Sequence, residues 1–286
     1  MGSVVQDRAA SGLERSCGWI RTAPSAPGVE RMEAFFAGAA FAPHRHDTYA
    51  VGFTLTGVQS FRYRGSAQQS LPGQVFVLHP DETHDGRAGD EAGFRYRILY
   101  VAPRAIEEAL GAAPLPFMRR AVSGDRRIAA AIRPALLDLD RPLEALERDQ
   151  LVLDLAEALA AADPSRSSRR RAAPHWPAIA RVRDYLEAHM ADAVGSAELE
   201  GVAGLSRYAV ARHFRACLGT SPYRYLVLRR LDRVRALIGK GTPLVEAALA
   251  AGFADQSHMT RHFKRAYGLP PGRWAALCGV PLHARR

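Results

Sequence analysis

Read for the spacing of its apolar positions, the chain changes texture twice. From residue 29 to about 101 apolar and other positions alternate. Tyr49, Val51, Phe53 and Leu55 alternate with Ala50, Gly52, Thr54 and Thr56, and Phe61 and Tyr63 with Arg62 and Arg64. Phe94, Tyr96, Ile98 and Tyr100 alternate with Arg95, Arg97, Leu99 and Val101. A period of two is that of a strand with one face turned inward. Thr56-Gly57, Arg64-Gly65-Ser66, Pro72-Gly73 and Ala88-Gly89-Asp90 punctuate the runs. Short strands between regular turns predict an all-β sandwich or barrel. From residue 103 the period lengthens. Residues 105–110 predict a short helix, and Ile128, Ile132, Leu136 and Leu139 a second. After Pro142 a third carries Leu143, Leu146, Val152, Leu153, Leu155 and Leu159. Leu136/Leu143 and Leu139/Leu146/Leu153 fall seven apart, as in a coiled-coil seam. That pattern suits a dimer interface or two helices packed on the sheets of their own chain. Residues 163–174 are polar and Pro-bounded, a linker.

Beyond the linker the helical pattern is written twice. Ala203-Gly204-Leu205-Ser206-Arg207-Tyr208-Ala209-Val210-Ala211-Arg212-His213-Phe214-Arg215 leads to Gly219-Thr220-Ser221-Pro222. Ala251-Gly252-Phe253 leads through Gln256-Ser257-His258-Met259-Thr260-Arg261-His262-Phe263-Lys264 to Gly268-Leu269-Pro270-Pro271. Arg-His-Phe-basic and Gly-x-x-Pro both recur at a shift of 49 (261 − 212, 268 − 219). A repeat signals one supersecondary unit used twice. Each copy reads as a helix-turn-helix. Leu199, Val202 and Ala203 precede the turn at Gly204, which suits positive φ, and Val210 and Phe214 mark the second helix's buried stripe. Ser206 is set to cap that helix. Met259 and Phe263 do the same work in the second copy. Between the stripes, Arg207, Tyr208, Ala211, Arg212 and Arg215, and Gln256, Ser257, His258, Arg261 and Lys264, are expected to point outward. Most of these are the group types that reach base edges and phosphates in a major groove. Ser221-Pro222 starts a joining helix (Tyr225, Leu228, Leu231, Val234, Leu237, Ile238) ending at Gly239. Residues 221–238 span ~27 Å at 1.5 Å per residue. That suits two recognition helices about one DNA turn, ~34 Å, apart.

This segment, roughly residues 176–277, resembles the DNA-binding domain of the AraC/XylS family of bacterial transcription regulators. The most specific part is Gly252-Phe253, Ser257-His258, Met259-Thr260-Arg261, Phe263-Lys264, Tyr267-Gly268 and Pro270-Pro271. The resemblance implies two helix-turn-helix units joined by one long helix, reading successive major-groove segments. Pro43-His44-Arg45-His46-Asp47 followed by Gly57, and Pro72-Gly73-Gln74-Val75-Phe76-Val77-Leu78-His79-Pro80 ending in His84, are similar to that family's cupin-like sensing domain. The resemblance also implies dimerisation helices over residues 104–162, an RNA polymerase contact, and an N-terminal arm that in some members covers a bound effector.

Charge sharpens the division. Residues 165–286 hold 21 Lys+Arg against 8 Asp+Glu, or +13, and residues 1–164 hold 18 against 21, or −3. A basic segment on a mildly acidic body points to a polyanion, nucleic acid first, and the resemblance implies double-stranded DNA. No amphipathic anchor supports a membrane surface as the partner. Cys17, Cys217 and Cys278 are odd in number and far apart, which reads as reduced thiols in a cytoplasmic protein. Residues 1–20 have no apolar signal core, and no run approaches a bilayer span.

In the sheet segment His44 and His46, two apart, are expected to face one side, with His84 near them. Metal-binding cupins add a Glu a few residues after the His pair; residues 49–51 (Tyr-Ala-Val) hold none. Three imidazoles can hold zinc or iron, but the fourth ligand is missing. No cofactor is therefore assigned, and the histidines are read as hydrogen-bonding to each other, to Asp47 or to a polar ligand. His44, His46, Tyr49, Phe53, Tyr63 and His84 are the candidate effector pocket, with Phe53 and Tyr63 also suited to core packing.

The chain is thus expected to be an arm (1–27), a cupin-like effector barrel (28–103), a helical dimerisation region (104–162), a linker (163–175), an all-α double helix-turn-helix domain (176–279) and a tail (280–286). The function expected is a non-enzymatic, sequence-specific transcription regulator controlled by a small molecule. The alternative is a metal-dependent cupin enzyme fused to a DNA-binding domain. A DNA-repair alkyl acceptor would need a reactive cysteine motif, which Cys217 and Cys278 lack. A non-specific compaction protein would not need two distinct recognition helices.

Overall fold

The computed structural model describes residues 17–24, 26–111, 113–165, 174–267 and 269–277. The chain forms two compact units, residues 1–144 with 151–170, and 145–150 with 171–286. Residues 1–16, most of the linker (166–173), Gly268, Cys278 and the tail lie outside the described residues. No described helix is long and apolar enough to cross a membrane.

Among the described residues of the first unit ten strands make two antiparallel sheets. β1 (Cys17–Thr22), β2 (Val29–Ala37), β4 (Tyr49–Thr56), β7 (Val75–Leu78), β9 (Phe94–Val101) and β10 (Val122–Ser123) join in the order β1-β2-β9-β4-β7-β10. β3 (Ala39–His44), β5 (Gln59–Tyr63), β6 (Ser66–Ser70) and β8 (His84–Ala88) join as β3-β8-β5-β6. The all-β expectation holds, as two separate sheets among the described residues. β1 pairs with β2 from Cys17↔Ala37 to Thr22↔Met32. This corrects the arm boundary at residue 27, because residues 17–22 belong to the sheet.

Period-two alternation decides what each face meets. Ala34, Phe36, Ala50, Phe76, Phe94, Tyr96 and Ile98 of the larger sheet pack with Phe61 and Tyr63 of the smaller. Gly52 lies on that inner face, where a Cβ would stand 2.5 Å from the Phe76 ring and 2.4 Å from the Arg97 carbonyl oxygen. The opposite face of the larger sheet carries Arg31, Glu33, Arg95 and Arg97. The sequence marks these as its polar side, yet Arg31 and Glu33 are buried. The reason is the helix α2 (Arg126–Leu137), whose carbonyl-rich C-terminus ends on them. Arg31 donates to the carbonyls of Ala135 (2.9 Å), Asp138 (3.1 Å) and Arg141 (2.7 Å). Arg97 donates to Leu136 (2.6 Å) and Leu137 (3.0 Å), and its Nε also pairs with Glu33 at 2.7 Å. Guanidinium groups fit this place, since the last helical carbonyls lack intrahelical donors and carry partial negative charge.

α1 (Pro103–Ala109) and α3 (Ala145–Ala162) complete the expected helices. The coiled-coil seam does not form. Residues 138–144 break the helix between Leu136 and Leu146, and Leu136, Leu139, Leu143, Leu146 and Leu153 are all buried.

Among its described residues the second unit is all helical: α4 (Trp176–Ala188), α5 (Ser196–Ala203), α6 (Arg207–Leu218), α7 (Pro222–Gly239), α8 (Leu244–Ala250), α9 (Gln256–Tyr267) and α10 (Pro271–Leu277). It holds two cores. Leu226 of α7 joins Ile179, Val182, Leu199, Val210 and Phe214 in one; Val227, Leu231, Val234 and Ile238 join Ala248, Phe253, Met259 and Phe263 in the other. The joining helix is thus a wall of both. Ser221 caps it, accepting from the Arg224 amide at 3.2 Å ahead of Pro222.

Candidate nucleic-acid interface and effector cluster

Each turn glycine sits where expected. Gly204 ends α5 at φ +68°, its amide bonded to the Glu200 carbonyl at 2.8 Å, and Gly252 follows α8 at φ +86°. Ser206 stands at the N-cap of α6, but its side chain makes no capping bond. Glu200 Oε1 instead accepts from the Arg207 amide at 2.7 Å. In the second copy Asp255 Oδ1 accepts from the His258 amide at 2.6 Å. Asp255, directly before the periodic run, is a capping signal the sequence reading passed over.

Two contacts tie the copies together. A Cβ on Gly252 would stand 2.8 Å from Ala191 Cα, so the second turn presses on the loop after α4. Arg230 of α7, 2% exposed, donates to the carbonyls of Met190 and Asp192, both at 2.8 Å, on either side of Ala191.

On α9, Ser257, Arg261 and Lys264 are exposed and Gln256 is half-buried, opposite the buried Met259 and Phe263. Arg265 lies on the same exposed face and Thr260 beside it; neither was predicted, though both follow at helical spacing from Ser257 and Arg261. His258 does not point outward. It is buried, with Nε2 3.0 Å from Nε2 of His262, whose ring is in turn 3.4 Å from the Tyr223 hydroxyl. On α6, Arg207, Arg212 and Arg215 are half-buried and Ala216 exposed, but Tyr208 and Ala211 are buried with Val210 and Phe214. Its buried arc is wider than the Val210/Phe214 stripe, which removes these two from the outward set. Ala209 and His213 occupy the half-exposed side with Arg212. Cys217 packs against the first core.

In the first unit the three histidines do come together. His44 lies opposite His84 in the register of β3 and β8, and Tyr63 lies opposite His84 on its other side. Ring centroids are 4.4 Å apart for His44 and His84, and 4.9 Å for His46 and His84. His46 stands past the end of β3, so a loop and not strand parity brings it there. Its ring meets Tyr100 edge-on at 5.3 Å. Nδ1 of His44, His46 and His84 each lies 2.9 Å from a backbone carbonyl oxygen, that of Ala42, Thr48 and Glu82 respectively. Burial, the largest cause, holds the pKa of His46 and of His84 below the ordinary imidazole value. Among the described residues no group of three or more His, Cys, Asp or Glu is arranged to hold a metal ion.

The other pocket residues separate. Tyr49 and Phe53 share the parity opposite to Ala50, which faces the inner core. The Phe53 ring lies under the Arg133 guanidinium of α2 at 5.3 Å, and the Tyr49 hydroxyl donates to the Pro116 carbonyl at 2.9 Å. Both therefore leave the histidine group. Tyr63 stays on the inner face, but its hydroxyl is taken by His79: Nδ1 at 2.9 Å and the backbone amide at 3.1 Å. His79 Nε2 accepts from the Met118 amide at 3.0 Å, so Nδ1 carries the proton. Burial first, then the Arg64 charge, pushes the His79 pKa down to about 4. Sequence reading did not single out His79 as a separate site.

Comparison with known proteins agrees with this division. The AraC-like ligand binding domain model matches residues 26–156, and a helix-turn-helix domain model matches residues 199–276. The chain is similar to the uncharacterized HTH-type transcriptional regulator YbfI of Bacillus subtilis (strain 168), 28% identical over 223 residues, 77% of this chain and 81% of the relative. It is also similar to the arabinose operon regulatory protein of Salmonella typhimurium, 26% identical over 242 residues, 80% of this chain and 84% of the relative. A solved probable AraC family transcriptional regulator from Rhodopseudomonas palustris is 25% identical, with TM-score 0.34, covering 37% of this chain and 99% of that one. An N-terminal ligand-binding domain of two sheets, followed by a duplicated helix-turn-helix unit, makes this chain a member of the AraC/XylS family of transcription regulators.

Proposed function

We propose that this protein is a cytoplasmic, one-component regulator in which a small molecule held by the first unit changes promoter binding or activation by the second. The observation that carries the reading is the presence in one chain of an effector-type domain and a pair of helix-turn-helix units sharing α7. Control is a population shift, so the effector must bind one arrangement better than another. The reading is non-enzymatic. Residues 17–162 serve as the effector domain, 163–175 as the linker and 176–279 as the DNA-binding domain.

Arg212 and Arg261 are suited to guanine through two parallel donors, and Gln256 to adenine. Ser257 joins them at base edges or phosphate. Arg207, Arg215, Lys264 and the added Arg265 supply salt-dependent phosphate contacts. Tyr208, Ala211 and His258 act from beneath, as packing that orients the helices. RNA polymerase and a second copy of the chain are the proposed protein partners. Because the seam leucines are buried, the homodimer uses another surface; mass measured across a dilution series checks it, a monomer at every concentration removing the dimer.

Selection of bound sites from random DNA, with and without a metabolite panel, tests the whole. The expected result is two half-sites about one helical turn apart, ~34 Å, with an affinity that one metabolite alters. Absence of sequence preference at moderate salt would sink the proposal.

A further inference from the structure

Given the effector reading above, on which this rests, the three histidines narrow the chemistry of the effector. A carbonyl oxygen only accepts. The 2.9 Å contacts of His44, His46 and His84 to the Ala42, Thr48 and Glu82 carbonyls therefore fix the proton of each neutral ring on Nδ1. Nε2 of each then carries a lone pair. His46 Nε2 is buried and meets no hydrogen-bond partner among the described residues. A buried acceptor left unmade is costly, so this atom is where a ligand gains most. The burial that lowers the pKa of His46 and His84 keeps the rings neutral near pH 7 and so keeps them acceptors. Glu82 and Asp85, near His84 in the chain, add no donor. Glu82 is held by Arg64 at 2.7 Å, and Asp85 accepts from the Arg62 amide at 2.6 Å. An acceptor-only ligand such as a carboxylate would set lone pair against lone pair.

We infer that the effector is an uncharged hydrogen-bond donor, a hydroxyl compound, that seats a hydroxyl on His46 Nε2 beside His84 and the Tyr100 ring. The site discriminates against carboxylates. A metal cation would also accept the lone pair, but no three such side chains among the described residues are set to hold one.

The test uses the full chain with 15N-labelled histidine, without DNA, and reads the ring nitrogens by NMR near pH 7.5. The probes are catechol, its dimethyl ether, benzoate and zinc chloride. Free protein should show His46 and His84 protonated on Nδ1. Catechol should move the His46 Nε2 resonance, while the ether and benzoate leave it in place. His46→Phe should weaken catechol binding about tenfold, the size of one good hydrogen bond. His44→Phe, at the exposed edge, should weaken it less and control for general disruption. Protonation of His46 on Nε2, a shift with benzoate equal to that with catechol, a response to zinc alone, or no response to any probe would each overturn the inference. The regulatory reading fails separately, when no small molecule alters DNA binding.

Discussion

At the scale of single residues, two side chains carry the sharpest expectations. Arg261 is exposed on α9, opposite the buried Met259 and Phe263. Arg261→Ala should cost roughly 1–3 kcal/mol at the cognate site and relax one base position. Gel-shift titration on a set of single-base variants reads both, and wild-type affinity with unchanged preference would mean the register of the second unit is wrong. His79 is the second. Its pKa, pushed down to about 4 in the fold against about 6.5 for a free imidazole, favours the neutral ring in the native state. The unfolded chain then binds more protons between these values, so stability is complete above about pH 6.5 and falls as pH drops toward 4. The loss is on the order of 2–3 kcal/mol. Denaturant melts of wild type and His79→Gln across that range should show this part of the slope only in the wild type. Identical slopes would remove His79 as its source.

The elements were legible to different depths, for physical reasons. Strands and helices followed from periodicity, because burial of one face imposes it. The width of a buried arc does not follow from periodicity. Val210 and Phe214 announced α6, but nothing in their spacing said that Tyr208 and Ala211 would be covered too. Polar alternation likewise could not distinguish water from a helix end as the partner of Arg31 and Arg97. The histidine group was legible as residue types, and its convergence followed from β3–β8 register and a loop beyond local sequence. Turn glycines read well, since φ above zero selects them. Their surroundings did not, and this gives an element-scale prediction. Gly204→Ala meets no atom of the described residues within 4 Å and should cost roughly 1–2 kcal/mol through its φ alone. Gly252→Ala adds a backbone collision with Ala191 and should cost roughly 2–5 kcal/mol. Thermal melts of the two variants check the order, and equal losses would mean the Ala191 loop yields freely.

For the molecule as a whole, the basic second half and mildly acidic first half were visible from composition, and the comparisons matched the same division. What composition could not convey is how the two reading units hold each other. Gly252 pressed on Ala191 joins the copies at a second place besides α7, whose own Arg230 grips Met190 and Asp192 on either side of it. A pair fastened at two points behaves as a caliper with its jaws locked. Each base pair inserted between the half-sites turns the far one by about 34° and moves it ~3.4 Å, a mismatch such jaws cannot follow. Footprinting on operators lengthened by one to five base pairs should show one half-site abandoned from the first insertion onward. Full protection of both at every length would mean the jaws slide. Operators for this protein should therefore tolerate drift in base identity far better than drift in length.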